Sequence, residues 1–223
     1  MNKTALITGG SRGIGKATAD MLREGAWEVV APTRGELDLS IYGSTRYFAS
    51  AWNMSPLCPR LHALVLCAGD WFSVPLSKLS ESDYLKQFRM FLAHESLMCS
   101  LLPRLVEARG CVVAVASTRA FIGGVETAPY SVAKAALVVL MQGFAREYGG
   151  GVRFNVVAPG LTDTAMGEQV RSSGGCKPDA IAQSASAVAQ VIVGLIEDGQ
   201  SSGRVVRVVD GVASDARWTW NES

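Results

Sequence analysis

Short apolar runs alternate along this chain with longer stretches in which apolar residues recur every three or four positions. The runs Ala5–Thr8, Glu28–Ala31, Leu61–Cys67, Cys111–Ala116, Val152–Val157 and Arg204–Val209 are mostly Val, Leu and Ile, without the polar alternation of a half-exposed strand. Strands apolar on both faces are strands covered by helices on both sides. A further, very short strand is expected at Leu37–Leu39. The helical period runs through Gly13–Glu24, Ile41–Asn53, Ser82–Arg109, Tyr130–Tyr148 and Asp179–Glu197. Strand and helix in strict turn predict right-handed βαβ units and an α/β fold with one doubly wound parallel sheet of about seven strands. Arg171–Pro178 is rich in Ser and Gly and reads as a surface loop.

The 223 residues suit one domain, 1–223, and the 48% apolar and 18% charged residues exclude disorder. Lys plus Arg is 21 and Asp plus Glu is 20, a net charge of +1. Such a balance gives no general pull toward nucleic acid or an anionic membrane. The longest uninterrupted apolar run, Ala135–Met141, is far short of the ~20 residues a bilayer takes. The N-terminal residues lack the apolar core of a signal peptide. Cys58, Cys67, Cys99, Cys111 and Cys176 form no Cys-x-x-Cys pair, and His62 and His94 are the only histidines. A metal site is therefore not expected, and the reading is a reduced, cytoplasmic protein.

Candidate chemistry begins right after the first strand, in Thr8-Gly9-Gly10-Ser11-Arg12-Gly13-Ile14-Gly15. Glycines let the backbone turn sharply and let a pyrophosphate approach the amides, while the helix that follows supplies free N–H donors and a positive dipole end. Farther on, Tyr130-Ser131-Val132-Ala133-Lys134 puts a phenol and an ammonium one helical turn apart, with Cβ atoms about 5–6 Å from each other. An ammonium there favours the phenolate and so lowers the Tyr130 pKa. Taken alone, each motif also has an ordinary structural use, as a packed turn or a solvated Lys beside a half-buried Tyr.

Together they resemble the short-chain dehydrogenase/reductase family. The glycine spacing, the Tyr-x-x-x-Lys and a Ser at position 117, 13 residues before Tyr130, stand in the family's order, and the resemblance runs from Thr4 to about Gly211. It implies a Rossmann-type fold with helices on both sheet faces and catalytic residues Ser117, Tyr130 and Lys134. It places the nicotinamide cofactor on Gly9, Ser11, Arg12, Gly13, Ile14 and Gly15, and on Cys67, Ala68 and Gly69 after the fourth strand of the family. Pro159 and Gly160 would also bind the cofactor, and the backbone near Thr162 and the hydroxyl of Thr164 would meet its carboxamide. Asp38 and Leu39, within Leu37-Asp38-Leu39-Ser40, would flank the adenine, although Asp38 could equally cap a turn. Tyr130 and Lys134 would also bind the cofactor, Lys134 by holding the ribose. Thr33 takes the place of the acid that closes the second strand in NAD-binding relatives, with Arg34 next and Arg12 in the loop. A guanidinium fork suits a 2′-phosphate, so NADP(H) is expected in preference to NAD(H), with Glu36 as a counterweight.

The implied reaction is reversible hydride transfer between NADP(H) and a ketone or secondary alcohol, a small-molecule substrate. Asp70–Val74, Thr118–Thr127 and a short lid near 163–178 would surround the reacting carbon, with Trp71, Phe72, Phe121, Ile122 and Met166 forming an apolar pocket. A homodimer or homotetramer is expected through the long helices, with the Ala135–Met141 face, Trp218 and Trp220 in the contact. Three positions depart from the family: Cys67 replaces an Asn, Met90 replaces the Asn that holds a water, and the Arg34–Leu37 link omits a helix. His94, one turn beyond Met90, is a substitute for that Asn or a packed His. A competing reading keeps the cofactor and discards catalysis, as in a sensor or partner-binding protein. An epimerase or dehydratase on a related scaffold fits the compact length and glycine spacing less well.

Overall fold

The alternating pattern is realised as a seven-stranded sheet in the order β2-β1-β3-β4-β5-β6-β7. The computed structural model describes residues 3–55, 60–177 and 179–216. Six strands are parallel: β1 Thr4–Thr8, β2 Glu28–Val30, β3 Ala63–Leu66, β4 Cys111–Val115, β5 Arg153–Pro159 and β6 Val205–Val209. The seventh, β7 Val212–Asp215, is antiparallel to β6. The helices are α1 Gly13–Glu24, α2 Ser44–Met54, α3 Glu81–Ala108, α4 Arg119–Ile122, α5 Ala128–Glu147, α6 Ala165–Ser172 and α7 Ala185–Glu197, with a 3-10 turn at Leu76–Lys78.

Successive strand residues point to opposite faces, and each face finds its own helices. Leu6, Leu64, Val112 and Phe154 join one core with Trp52 of α2, Leu97 and Leu101 of α3, and Leu137 and Met141 of α5. Ala5, Ile7, Val65 and Val113 join a second core with Leu22 of α1 and Ile192 and Ile196 of α7. The chain leaves β1 toward β2 and returns past it to β3, so the winding reverses between β1 and β3. The carboxyl ends of those two strands frame the crevice where open α/β sheets take their ligands.

Several boundaries differ from the sequence pattern, each for a local reason. Leu37–Leu39 is no strand. The Leu37 N–H is claimed by Thr33 O at 2.9 Å and Asp38 Oδ1 accepts from Ser40 N at 2.9 Å, so the ladder groups are used locally while both leucines still enter the core. The seventh strand comes instead from a hairpin whose two turn residues, Asp210 and Gly211, have φ of 51° and 76°. Positive φ at both central residues gives the turn whose twist matches the flanking strands. Ile41–Gly43 forms a turn, and α2 starts only at Ser44. The segment expected as a helix from Asp179 begins at Ala185, capped by Ser184.

Arg171–Pro178 is only partly the surface loop it was expected to be. Arg171 and Ser172 complete α6, and Gly175 is buried. Pro178 lies outside the described residues. No uninterrupted run is long enough to span a bilayer, but α5 as a whole, 20 residues at mean hydropathy 1.2, is long and apolar enough. It lies against the sheet, where Leu137, Val138 and Met141 of the Ala135–Met141 run are buried, while Val139 is exposed. Trp218 and Trp220 are outside the described residues.

Candidate active site

The loops that follow β1, β3, β4 and β5 surround one cleft of about 680 Å3. Every residue named from the sequence as catalytic or cofactor-binding lies on its wall: Ser117, Tyr130 and Lys134; Gly9, Ser11, Arg12, Gly13, Ile14 and Gly15; Arg34, Asp38 and Leu39; Cys67, Ala68 and Gly69; Pro159, Gly160, Thr162 and Thr164. Of the expected apolar lining, Trp71, Ile122 and Met166 are on the wall. Phe121 packs on the core instead, and Phe72 is not on the wall.

The floor of the cleft is a glycine cradle. Gly9 adopts φ +70°, and a Cβ on Gly15 would lie 2.3 Å from Gly9 O. No side chain caps the first turn of α1, so its N–H groups are left to the cleft. An anion such as a pyrophosphate is the partner these donors fit. Thr8 binds the cradle to the end of β3, its hydroxyl accepting from Cys67 N at 3.0 Å and Ala68 N at 3.2 Å. The thiol of Cys67 is pushed up to about 11 by burial.

On the rim near the end of β2, Arg34 Nε donates to Asp38 Oδ2 at 3.1 Å. Hydrogen bonds from Ser40, and then from Arg34, hold Asp38 down at about 2. Glu36 accepts from Thr33 N at 2.7 Å and Thr33 Oγ1 at 2.9 Å. Arg12, in contrast, has no ion-pair partner among the described residues.

At the other end of the cleft, β4 delivers Ser117, and α5 presents Tyr130 and Lys134 one turn apart. Ser117 Oγ accepts from Arg119 N at 3.2 Å, and the Ser117 hydroxyl is near enough to the Tyr130 phenol to pull the phenol pKa down. Tyr130 is 6% exposed, with the Trp71 ring edge-on at 5.1 Å between centroids. One expectation is corrected here. Burial outweighs the Ser117 hydrogen bond and the Arg119 charge, so the Tyr130 pKa is raised, and Lys134 is not among the groups that pull it down. The Lys134 ammonium donates to Val115 O at 2.8 Å and stands 5.8 Å from the Tyr130 ring centroid. Its own pKa is lowered to about 8 by burial.

His94 is a packed residue, 2% exposed, with Nε2 3.4 Å from Thr8 Oγ1. Together with Met90 and Lys134 it borders a side cavity of about 20 Å3. Burial, then the Lys134 charge, holds the His94 pKa down at about 3. The folded state therefore keeps His94 neutral while the unfolded chain takes up a proton below about pH 6.5. The stability this supplies is present above pH 6.5 and is lost as pH falls toward 3, at up to ~1.4 kcal/mol per pH unit. A His94→Gln variant should lose less stability between pH 7 and pH 5 in urea unfolding than the parent; parallel losses would show that His94 titrates normally.

Two residues on or beside the cleft escaped the sequence reading. Gln183, 6% exposed, donates to Val208 O at 2.8 Å and accepts from Gly211 N at 3.0 Å, fixing the hairpin to the base of the lid. Arg119 lines the cleft and donates to Gly123 O and Gly175 O. As the only basic residue between Ser117 and Tyr130, it could have been singled out.

The chain is similar to several known proteins. The family model described as short chain dehydrogenase matches residues 46–174. The 3-oxoacyl-[acyl-carrier-protein] reductase of Rattus norvegicus is 28% identical, over 95% of this chain and 98% of that protein. The (2S)-[(R)-hydroxy(phenyl)methyl]succinyl-CoA dehydrogenase subunit BbsD of Thauera aromatica is 32% identical, over 76% of this chain and 77% of that one. Among solved structures, ElxO with NADP bound superposes at a TM-score of 0.81 with 23% identity, covering 95% of this chain and 98% of that chain; this likeness shows the fold.

Proposed function

The chain belongs to the short-chain dehydrogenase/reductase family, and on that footing we propose that it transfers a hydride between NADP(H) and a ketone or secondary alcohol, with Tyr130 as the acid/base. The observation that carries this reading is the meeting of Ser117, Tyr130 and Lys134 with the glycine cradle along one continuous cleft. When bound, the nicotinamide supplies or accepts the hydride. Ser117 holds the substrate oxygen through its hydroxyl, and Tyr130, on the same wall of the cleft, gives that oxygen a proton or takes one from it. Lys134 keeps a positive charge in the cleft up to about pH 8. Trp71, Ile122 and Met166 give the reacting end an apolar lining. Gly9, Gly13 and Gly15 would hold the pyrophosphate, and Thr162 and Thr164 the carboxamide.

NADP(H) is favoured by Arg12, an exposed guanidinium with no acidic partner among the described residues; Arg34 is already neutralised by Asp38. The kcat/KM for NADPH should exceed that for NADH by about tenfold or more, and Arg12→Ala should remove most of the difference while leaving the NADH value alone. A preference for NADH in the parent defeats this assignment.

A second reading, a cofactor-retaining sensor, draws on the raised Tyr130 and on Met90 at the edge of the side cavity. NADPH absorbance followed with a panel of ketones separates the two. The panel should include a 3-oxoacyl thioester, the class for which the rat relative is named. Consumption that depends on Tyr130 supports the reductase, and NADPH binding without consumption of any member supports the sensor.

A further inference from the structure

The segment between β5 and α7 covers the reacting end of the cleft, and its base is stapled. Gln183 N donates to Leu161 O at 3.0 Å, and Asp163 N donates to Gln183 O at 2.8 Å. Its tip closes onto two side chains from other loops. Ser173 Oγ accepts from Trp71 Nε1 at 2.9 Å, and Gly175 O accepts from Arg119 Nη2. Gly175 packs so closely that a Cβ there would lie 2.7 Å from Trp71 Cζ2. Trp71 in turn stands edge-on to Tyr130. The other arm of the Arg119 fork, Nη1, donates to Gly123 O at 3.0 Å, in space that Gly124 leaves open: a Cβ on Gly124 would fall 2.4 Å from Nη1. No carboxylate among the described residues pairs with Arg119.

We infer that Arg119 is a positioning residue which, with Trp71, clasps residues 173–175 over Tyr130 and so sets how firmly a carbonyl substrate is retained beside Ser117. The planar fork holds the end of α4 and the lid tip in one register, which a flexible ammonium would not do. Its bonds to the carbonyls are charge-assisted and therefore strong for neutral acceptors. A carbonyl still releases more readily than a paired carboxylate, which suits a contact that has to open for substrate and product. The consequence for turnover rests on the reductase reading, whereas the clasp itself can be read without turnover.

Hydrogen exchange on the full chain is the deciding measurement, because the amides of Ser173, Gly174 and Gly175 are all hydrogen-bonded, to Gln169, Arg171 and Val170. In Arg119→Met, which keeps the apolar stem, these amides should exchange about tenfold faster or more while β4 and β5 stay unchanged. Gly124→Ala, which crowds Nη1 and keeps the charge, should act in the same direction, and Arg119→Lys should restore part of the protection. With NADPH and a ketone that the parent reduces, KM for the ketone should rise about tenfold in Arg119→Met, kcat should fall less than about threefold, and the NADPH Kd should hold. Unchanged exchange at 173–175, or a rise shared with β4 and β5, overturns the clasp, as does a fall in kcat with KM unmoved. A parent inert toward every ketone would instead count against the reductase reading, and exchange would still decide the clasp.

Discussion

Replacing Tyr130 with Phe should lower kcat by about a thousandfold, within the 10²–10⁴ range of a positioned acid/base, and leave the NADPH Kd within about threefold of the parent. A thousandfold is about 4 kcal/mol of transition-state stabilisation. The asymmetry follows from where the phenol oxygen lies. Tyr130 shares the reacting end with Ser117, and the glycine cradle that would grip the pyrophosphate is a separate wall of the cleft. Phe keeps the ring that packs edge-on against Trp71, so the pocket shape and the lid contact should survive the change. NADPH oxidation at saturating ketone gives kcat, and a fluorescence titration gives Kd. Retention of more than about a tenth of the parent rate would remove Tyr130 from the chemistry. The raised phenol pKa gives this prediction its weight. A Tyr130 that stays neutral at pH 7 is well suited to donate a proton in the reductive direction. To act as a base it needs help that Lys134, committed to Val115 O, does not give it directly.

The sheet was legible wherever a strand is apolar on both faces. β1, β3 and β4 are buried along their whole length, and such runs have few other uses. Leu37–Leu39 misled because burial and strand pairing are separable: both leucines reach the core through a turn held by Thr33 and Asp38. β7 could not be seen at all, since its four residues are exposed and it is fixed by a two-residue turn and by pairing with β6. α6 announces itself only by its Thr164 cap, whose hydroxyl accepts from Gly167 N at 3.1 Å.

The residues that meet in the cleft were legible because the chemistry proposed for them demands fixed spacings within one loop or one helical turn. Arg119 and Gln183 act through partners distant in sequence; the Arg119 contact with Gly175 spans 56 residues. Nothing local marks such a pairing. The effect of Lys134 on Tyr130 was misjudged for a related reason. Spacing gives proximity on a helix but gives neither burial nor the competing carbonyl of Val115.

Gly15→Ala should abolish tight cofactor binding, with the NADPH Kd rising about a hundredfold or more. The methyl would meet backbone on every side: Gly9 O at 2.3 Å, Gly9 C at 2.8 Å and Gly10 Cα at 3.2 Å. No rotamer can relieve such a contact, so the loop itself has to shift. It cannot shift freely, because Gly9 sits at φ +70°, and a Cβ there would already be 2.8 Å from Ala68 Cα, held in turn by the Thr8 hydroxyl. Displacing the loop withdraws the amide donors from a pyrophosphate, and each charge-assisted hydrogen bond lost costs about 1.5–3 kcal/mol. Two such bonds account for the expected change in Kd. Overpacking should also cost about 1–3 kcal/mol of folding stability, readable in urea. Gly143→Ala in α5 is the matched control: its Cβ meets nothing within 4 Å, so NADPH binding should be untouched. If Gly15→Ala bound NADPH like the parent, the cradle after β1 would not be where the phosphates sit, and the placement of the cofactor along this cleft would fall with it.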